Sequence, residues 1–399
     1  MGKEMFIPLS VPNIKGNELK YVTEAIESEW VSTAGSYITT FEEKFSKYLN
    51  VKSACACQSG TAGLHLCLRV LDISEGDIVL VPTLTFIATI NSLMYEKATP
   101  IFIDCDDNMC INIDQIRDYI ENQCDFNENS LIDKATGARV KAVMPVHVFG
   151  DIANMEALVD ICEKYKLYII EDATEALGTK YANGKYEGRY AGTIGHLGVF
   201  SFNGNKIITT GGGGMVVSQD SKLIEKIKYL STQAKDDQVY FVHNEVGYNY
   251  RMTNIQAAIG IGQLEKLNDF IRNKEENYRY YKERLVDSSL GKMVNFNENI
   301  HPNYWFYSFK LNKPDYKLRD ELINYLQSKN IQTRPIWKLN HTQKPFEKYN
   351  CIGYETASEF YDSIINLPCS SNLTKEEVDR VCNEILKFEL EKIGDSYGY

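Results

Sequence analysis

Between about residue 40 and residue 220, short runs of apolar and β-branched residues alternate with longer stretches of helical character. DIVLVP (77–82), ATPIFID (98–104), VKAVMPVHVFG (140–150) and KLYIIED (166–172) each predict a buried strand. Between them, TAGLHLCLRVL (61–71), ATINSLMYE (88–96) and NMEALVDICEKY (154–165) predict helices. This alternation predicts an α/β fold, a mostly parallel sheet with helices on both faces. In such sheets ligand chemistry gathers where strands end and helices begin. VFSFN (199–203) and GMVVS (214–218) add two more strands, and a polar helix from Gln263 to Leu285 connects them to the C-terminal part of the chain. The remainder mixes a strand, WFYSFKL (305–311), with helices at 318–329 and 374–393, an α+β pattern. The polar stretch NENSLIDKATGARV (127–140) predicts a hairpin inserted before a core strand. The expected division is an N-terminal arm (1–15), a large domain (16–265) and a small C-terminal domain (266–399) that includes the connecting helix.

Composition narrows the function classes. The 399 residues are 44% hydrophobic and 24% charged, enough to bury a sizeable core. A net charge of −11 argues against sequence-independent nucleic-acid binding, although a few local donors still suffice for an anionic small molecule. No apolar run approaches the roughly 18 to 20 residues that span a bilayer, and MGKEMFIPLSVPN lacks the apolar core of a secretory signal. The ten cysteines form no CxxC pair, and the histidines no HxxxH motif, so reduced thiols, no metal and a cytoplasmic location are expected.

Within that frame, SFNGNKIITTGGGG (201–214) sets Lys206 just before four glycines. A phosphate loop of the form GxxxxGK[ST] is absent, and strand formers bracket the glycines where a linker would be polar. A tight turn presenting an amine fits best, against the ordinary alternative of a solvated surface lysine. EDATEALG (171–178) places Asp172 at the end of the strand KLYII, either as a ligand group or as a helix cap. An acid at a strand end with a lysine on a glycine-rich turn is what pyridoxal 5′-phosphate chemistry requires: the amine condenses with the cofactor aldehyde, and the carboxylate keeps the pyridine nitrogen protonated. QSGTAGLHL (58–66) offers an anion cradle at a helix start, a pattern shared with ordinary caps. Phe86 in PTLTFIAT (82–89) is placed either to stack on a ring or to fill the core.

These segments, with PVHVFG and GYNYRMTNIQAA, resemble in order and spacing the DegT-type sugar-nucleotide aminotransferases, which are of fold type I and use pyridoxal phosphate. The resemblance runs from IPLSVPNIKGNE (7–18) to QTRPIWKLNH (332–341). It implies that Lys206 carries the cofactor and moves protons, that Asp172 pairs with the pyridinium nitrogen, and that Gly60, Thr61 and Ser201 bind the phosphate. It further implies that Phe86 packs on the ring and that Glu175 stands where relatives often have glutamine or histidine, near the cofactor's 3-oxygen or the substrate. Asn249 matches a residue that reaches the neighbouring subunit's phosphate, which implies a homodimer with shared sites. Arg251, Arg334 and His341 are candidates for the nucleotide sugar, with Arg251 equally open to an exposed or core-paired role. Trp337, His147 and His65 fit packing or satisfied interior positions.

Many relatives read TTGEGG where this chain reads TTGGGG, with Gly212 in place of the glutamate. That run and residues 231–258 are similar to aminotransferases of legionaminic acid and bacillosamine biosynthesis. The implied reaction moves an amino group from L-glutamate to C4 of a UDP-linked 4-keto-6-deoxy-N-acetylhexosamine. The alternatives are a GDP-perosamine-type 4-aminotransferase and a dTDP-sugar 3-aminotransferase. A sugar dehydratase of the same fold carries histidine at the lysine position, and a non-catalytic regulator would need an appended binding segment; both rank below.

Overall fold

The computed structural model describes residues 5–237 and 239–396, so residues 1–4 of the expected arm lie outside the described residues. The chain opens with helices α1 (Glu18–Glu27) and α2 (Ser36–Leu49), then β1 (Ser53–Cys57) and α3 (Gly60–Val70). Next come β2 (Asp77–Pro82), α4 (Ala88–Tyr95), β3 (Thr99–Ile103) and α5 (Ile113–Gln123). A short meander, β4 (Cys124–Phe126) and β5 (Leu131–Asp133), leads antiparallel into β6 (Arg139–Val143), as the polar stretch at 127–140 predicts. After α6 (Met155–Tyr165) and β7 (Tyr168–Asp172), the strand β8 (Lys180–Tyr181) precedes β9 (Leu197–Ser201), β10 (Gly214–Ser218) and α7 (Ser221–Ser231).

The main sheet runs β1-β10-β9-β7-β6-β2-β3, parallel except that β10 lies antiparallel to both neighbours. One apolar core packs α5 and α6 on one face, and a second packs α3, α4 and α7 on the other. The run 140–150 is a strand only as far as Val143. Pro145 has no N–H for a ladder, and Phe149 turns into the left-handed region at φ 54°.

Helix α8 (Asn254–Arg284) begins nine residues before the predicted Gln263. Thr253 caps it, and Gln256 completes a capping box. Gly260 and Gly262 hide this start in the sequence, since each costs about 1 kcal/mol of helix propensity relative to alanine. Both are needed for packing. A Cβ on Gly260 would stand 2.7 Å from the Phe41 ring, and one on Gly262 would stand 2.8 Å from the Glu18 backbone nitrogen. The expected boundary at 265/266 falls within this helix.

Past it, β11 (Gly291–Met293), β12 (Ile300–His301), β13 (Tyr307–Leu311), α9 (Tyr316–Ser328) and β14 (Arg334–Pro335) follow. Then come β15 (Cys351–Ile352), α10 (Glu355–Ser363), β16 (Ile364–Leu367) and α11 (Lys375–Ser396). An antiparallel sheet β11-β13-β16-β14 forms the core of this half with α9, α10 and α11. Two strands cross back: β12 pairs with β8, and β15 adds a parallel edge to β3. Cavity walls contributed by the two halves are thereby fixed against each other.

Candidate active site

A cavity of about 440 Å³ opens at the C-terminal ends of β2, β7 and β9. The first half of the chain contributes Ser59, Gly60, Thr61, Phe86, Asp172, Glu175, Ser201 and Lys206 to its lining. The second half contributes Trp305, Phe306, Arg334, Trp337 and Asn366.

Lys206 sits on a turn after β9 whose backbone closes through Lys206 N–H to the Asn203 carbonyl at 3.0 Å. Its Nζ lies 4.0 Å from the centroid of the Trp305 ring and 3.8 Å from Glu175 Oε1. Burial lowers its pKa from the ordinary lysine value, while Glu175 and Asp172 oppose that shift. Glu175 is itself buried, and its Oε2 accepts the Phe149 N–H at 2.9 Å. Burial pushes its carboxyl up to about 7, against the pull of Lys206 and the Phe149 amide.

Asp172 ends β7, where its Oδ2 accepts the Thr89 hydroxyl at 2.8 Å and its Oδ1 the Thr174 N–H at 3.2 Å. Among the described residues no cation pairs with this buried carboxylate. A buried anion held by neutral donors and facing a cavity suits a cationic ring nitrogen. The start of α3 supplies the other requirement. Ser59 caps it by accepting the Ala62 N–H at 3.0 Å, and Gly60 and Thr61 occupy the first turn, whose amides have no acceptor within the helix. A Cβ at Gly60 would meet Ser201 Cβ at 3.0 Å, so the small residue lets β9 close on the cradle. Phe86 lines the cavity and is 52% exposed, leaving a ring face available to a ligand. On these observations the residues present fit pyridoxal phosphate.

Three of the glycines in TTGGGG answer to the backbone. Gly211 and Gly213 have φ +79° and +148°, and a Cβ at Gly214 would stand 2.6 Å from the Ser59 carbonyl carbon. Gly212 is different, since a Cβ there would meet only Gln256 Nε2 at 3.9 Å.

The substrate candidates divide. Arg334 lines the cavity and is exposed, with its Nη1 on the Thr333 carbonyl at 3.1 Å. Arg251 does not reach it. Its guanidinium is buried against Glu42 and donates to the Ala56 carbonyl at 3.1 Å, which leaves the core-paired reading. His341 is likewise spent elsewhere, with Nδ1 2.6 Å from the Thr83 hydroxyl and the ring beside Tyr354. Asn249 is exposed outside this chain's cavity and bridges Thr232. Trp337 packs on Phe149 at 4.8 Å and also lines the cavity. His147 and His65 are buried and satisfied, His147 by Glu171 at 2.8 Å and His65 by Glu96 at 2.6 Å.

Sequence reasoning missed Thr89 and Trp305. Thr89 lies one helical turn after Phe86 inside a segment already singled out, so a hydroxyl at that spacing was the available signal. Trp305 is read as the start of a strand that begins only at Tyr307, and nothing local ties it to a lysine 99 positions earlier. All ten cysteines are free thiols, nine of them buried. Among the described residues no helix is long and apolar enough to cross a membrane.

The fold and the cavity define a pyridoxal-phosphate-dependent aminotransferase of fold type I. Residues 12–386 match the DegT/DnrJ/EryC1/StrS aminotransferase family, and the chain belongs to it. It is 38% identical over 389 residues to GDP-perosamine synthase of Escherichia coli O157:H7, covering 97% of this chain and 100% of that one. It is 35% identical over 378 residues to GDP-perosamine synthase of Caulobacter vibrioides, covering 94% and 96%. Helicobacter pylori PseC, an aminotransferase involved in pseudoaminic acid biosynthesis, superposes with a TM-score of 0.86 at 25% identity, over 97% of this chain and 100% of that one. Sugar aminotransferase activity, a nucleotide-sugar substrate and an amino donor follow from this membership.

Proposed function

We propose that this chain transfers the amino group of L-glutamate to C4 of a GDP-linked 4-keto-6-deoxy sugar, a reaction of the perosamine type. Near-full-length similarity to relatives named GDP-perosamine synthase supports the GDP sugar over the UDP-linked N-acetylhexosamine expected from residues 231–258 and the glycine run. The observation that carries the chemistry is the partly buried amine of Lys206 lining the cavity that Asp172 also lines.

Pyridoxal phosphate, when bound, supplies an electron sink for the carbon that loses its proton. Asp172 would keep the pyridine nitrogen protonated, oriented by Thr89. Gly60, Thr61 and Ser201 would hold the phosphate, and Phe86 would pack on the ring. Lys206 Nζ would take the α-proton of the donor in the first half-reaction and deliver one in the second. Burial would favour the neutral form of that amine, against the opposing pull of Glu175 and Asp172. Arg334 would face the nucleotide diphosphate. Asn249 would serve the site of a second copy, in a homodimer located in the cytoplasm.

GDP-, UDP- and dTDP-linked keto sugars assayed side by side with L-glutamate test the reading. Amination of the GDP sugar with the highest kcat/KM is expected. Selective turnover of the UDP-linked N-acetylhexosamine would overturn the sugar assignment and leave the aminotransferase intact.

A further inference from the structure

We propose that Glu175 is the proton partner of Lys206, a carboxyl that stores the proton the lysine sheds and returns it when the amine must be an acid. This rests on Lys206 being the amine that engages the cofactor. The geometry is specific. Glu175 is 3% exposed, one carboxylate oxygen is pinned by the Phe149 N–H, and the other is 3.8 Å from Lys206 Nζ. Phe149 holds the left-handed conformation that turns its N–H toward this carboxylate.

The carboxylate is anchored from behind as well. Asn303 Nδ2 donates to the Glu175 carbonyl at 2.9 Å and to the Leu177 carbonyl at 3.0 Å, while its Oδ1 accepts the Trp305 N–H at 2.9 Å. One asparagine therefore ties the backbone of the carboxylate to that of the indole covering the lysine. The titratable groups facing the pair are few: Lys206 and Asp172 face Glu175, and Glu175 and Asp172 face Lys206.

Glu175 is buried and Lys206 partly buried, so an ion pair between them gives up hydration that a neutral pair does not. The transfer is balanced. One N–H bond of the ammonium breaks, an O–H bond forms on Oε1, and the amine regains its lone pair without a proton reaching solvent. The reverse transfer restores the ammonium. Burial that raises the carboxyl toward neutrality and lowers the lysine brings the two proton affinities together, as such sharing requires.

The test uses the full chain freed of cofactor. Lys206 is labelled with an amine-directed acylating reagent across pH, and the rate at that residue is read by peptide mass mapping. A shared proton makes Lys206 reactivity rise in two steps with a plateau between, because the singly protonated pair contains a fraction of neutral amine. Glu175→Gln should leave one step. A single step in the wild-type chain, with the amine silent until the ammonium itself titrates, would overturn the proposal, and that result needs no variant to fold. Borohydride reduction of the holoenzyme separates this failure from that of the underlying reading: a cofactor label on a residue other than Lys206 refutes the assignment of the lysine itself.

Discussion

The Thr89 hydroxyl donates to Asp172 Oδ2 at 2.8 Å, so the first turn of α4 holds the carboxylate that ends β7. The contact joins two segments 83 positions apart, while the Thr174 amide donates to the other oxygen. Thr89 is a positioning residue, acting through Asp172. Thr89→Val keeps the volume and removes the donor. A hydrogen bond to a charged group is worth about 1.5–3 kcal/mol, so pyridoxal phosphate affinity should fall by roughly one to two orders of magnitude. Spectroscopic titration of the cofactor-free chain measures this, and Thr89→Ser should recover most of the loss.

Arg251 and Glu42 form a buried pair that holds the start of the sheet. Glu42 also accepts the Ala56 N–H at 2.8 Å, so the pair is stitched to β1 from both sides. Arg251→Met leaves the carboxylate with the half-exposed Lys228 at 3.3 Å as its remaining cation. A loss of about 3 kcal/mol in unfolding free energy is expected. The double variant with Glu42→Gln should recover a large part. The KM for the nucleotide sugar should stay unchanged in whatever fraction folds. A KM rise without a stability loss would restore Arg251 to the substrate site.

Glycines of the 211–214 run should respond unequally. Gly214→Ala forces a Cβ against the Ser59 carbonyl and the Gly60 amide nitrogen, distances at which backbone must move. It should lower both the melting temperature and cofactor affinity, because the strand that shifts also seats the phosphate cradle. Gly212→Ala meets open space and should change stability by no more than about 0.5 kcal/mol. Gly212→Glu should fold equally well while placing a carboxylate at the cavity edge. Thermal melts of the three variants, with and without pyridoxal phosphate, separate these outcomes.

Buried strands and the lysine turn were legible because each is encoded within ten residues: DIVLVP is a strand wherever it is buried, and four glycines announce a turn. The parts that were not legible depend on distant partners. Gly260 and Gly262 look like helix breakers until Phe41 and the Glu18 backbone are seen against them. Arg251 looks like a free cation until Glu42, 209 positions away, is found beside it. His341 looks available until Thr83 claims its Nδ1. Trp305 gives no local sign that it covers Lys206. Side-chain commitments made across the sheet are invisible in a one-dimensional pattern, and they decide which polar residues remain for a ligand.

Three buried carboxyls should make stability of the cofactor-free chain fall as pH rises toward neutrality, against His65, His196 and His341, whose pKa burial lowers and whose contribution has the opposite slope. Burial raises the Glu175 carboxyl from 4.5 to about 7, Asp151 from 3.8 to about 7 and Asp106 from 3.8 to about 6. In the folded chain these groups keep protons that the unfolded chain has already released. Folded protein therefore binds more protons between about pH 4 and 7, and the linkage relation gives a negative slope of stability with pH. Their contribution is fully present below the unfolded values and is lost as pH passes through the folded ones. Lys206 acts in the opposite sense: its lowered folded pKa gives a contribution present above 10.5 and lost as pH falls through the folded value. Urea denaturation at half-unit intervals from pH 4.5 to 8, run on the wild-type chain and on Glu175→Gln, isolates the Glu175 contribution from the rest. Glu175→Gln removes one of the three protons and should shift the slope of stability with pH upward by as much as about 1.4 kcal/mol per pH unit. A slope unchanged by that substitution would mean that Glu175 is already ionised in the folded chain at pH 6.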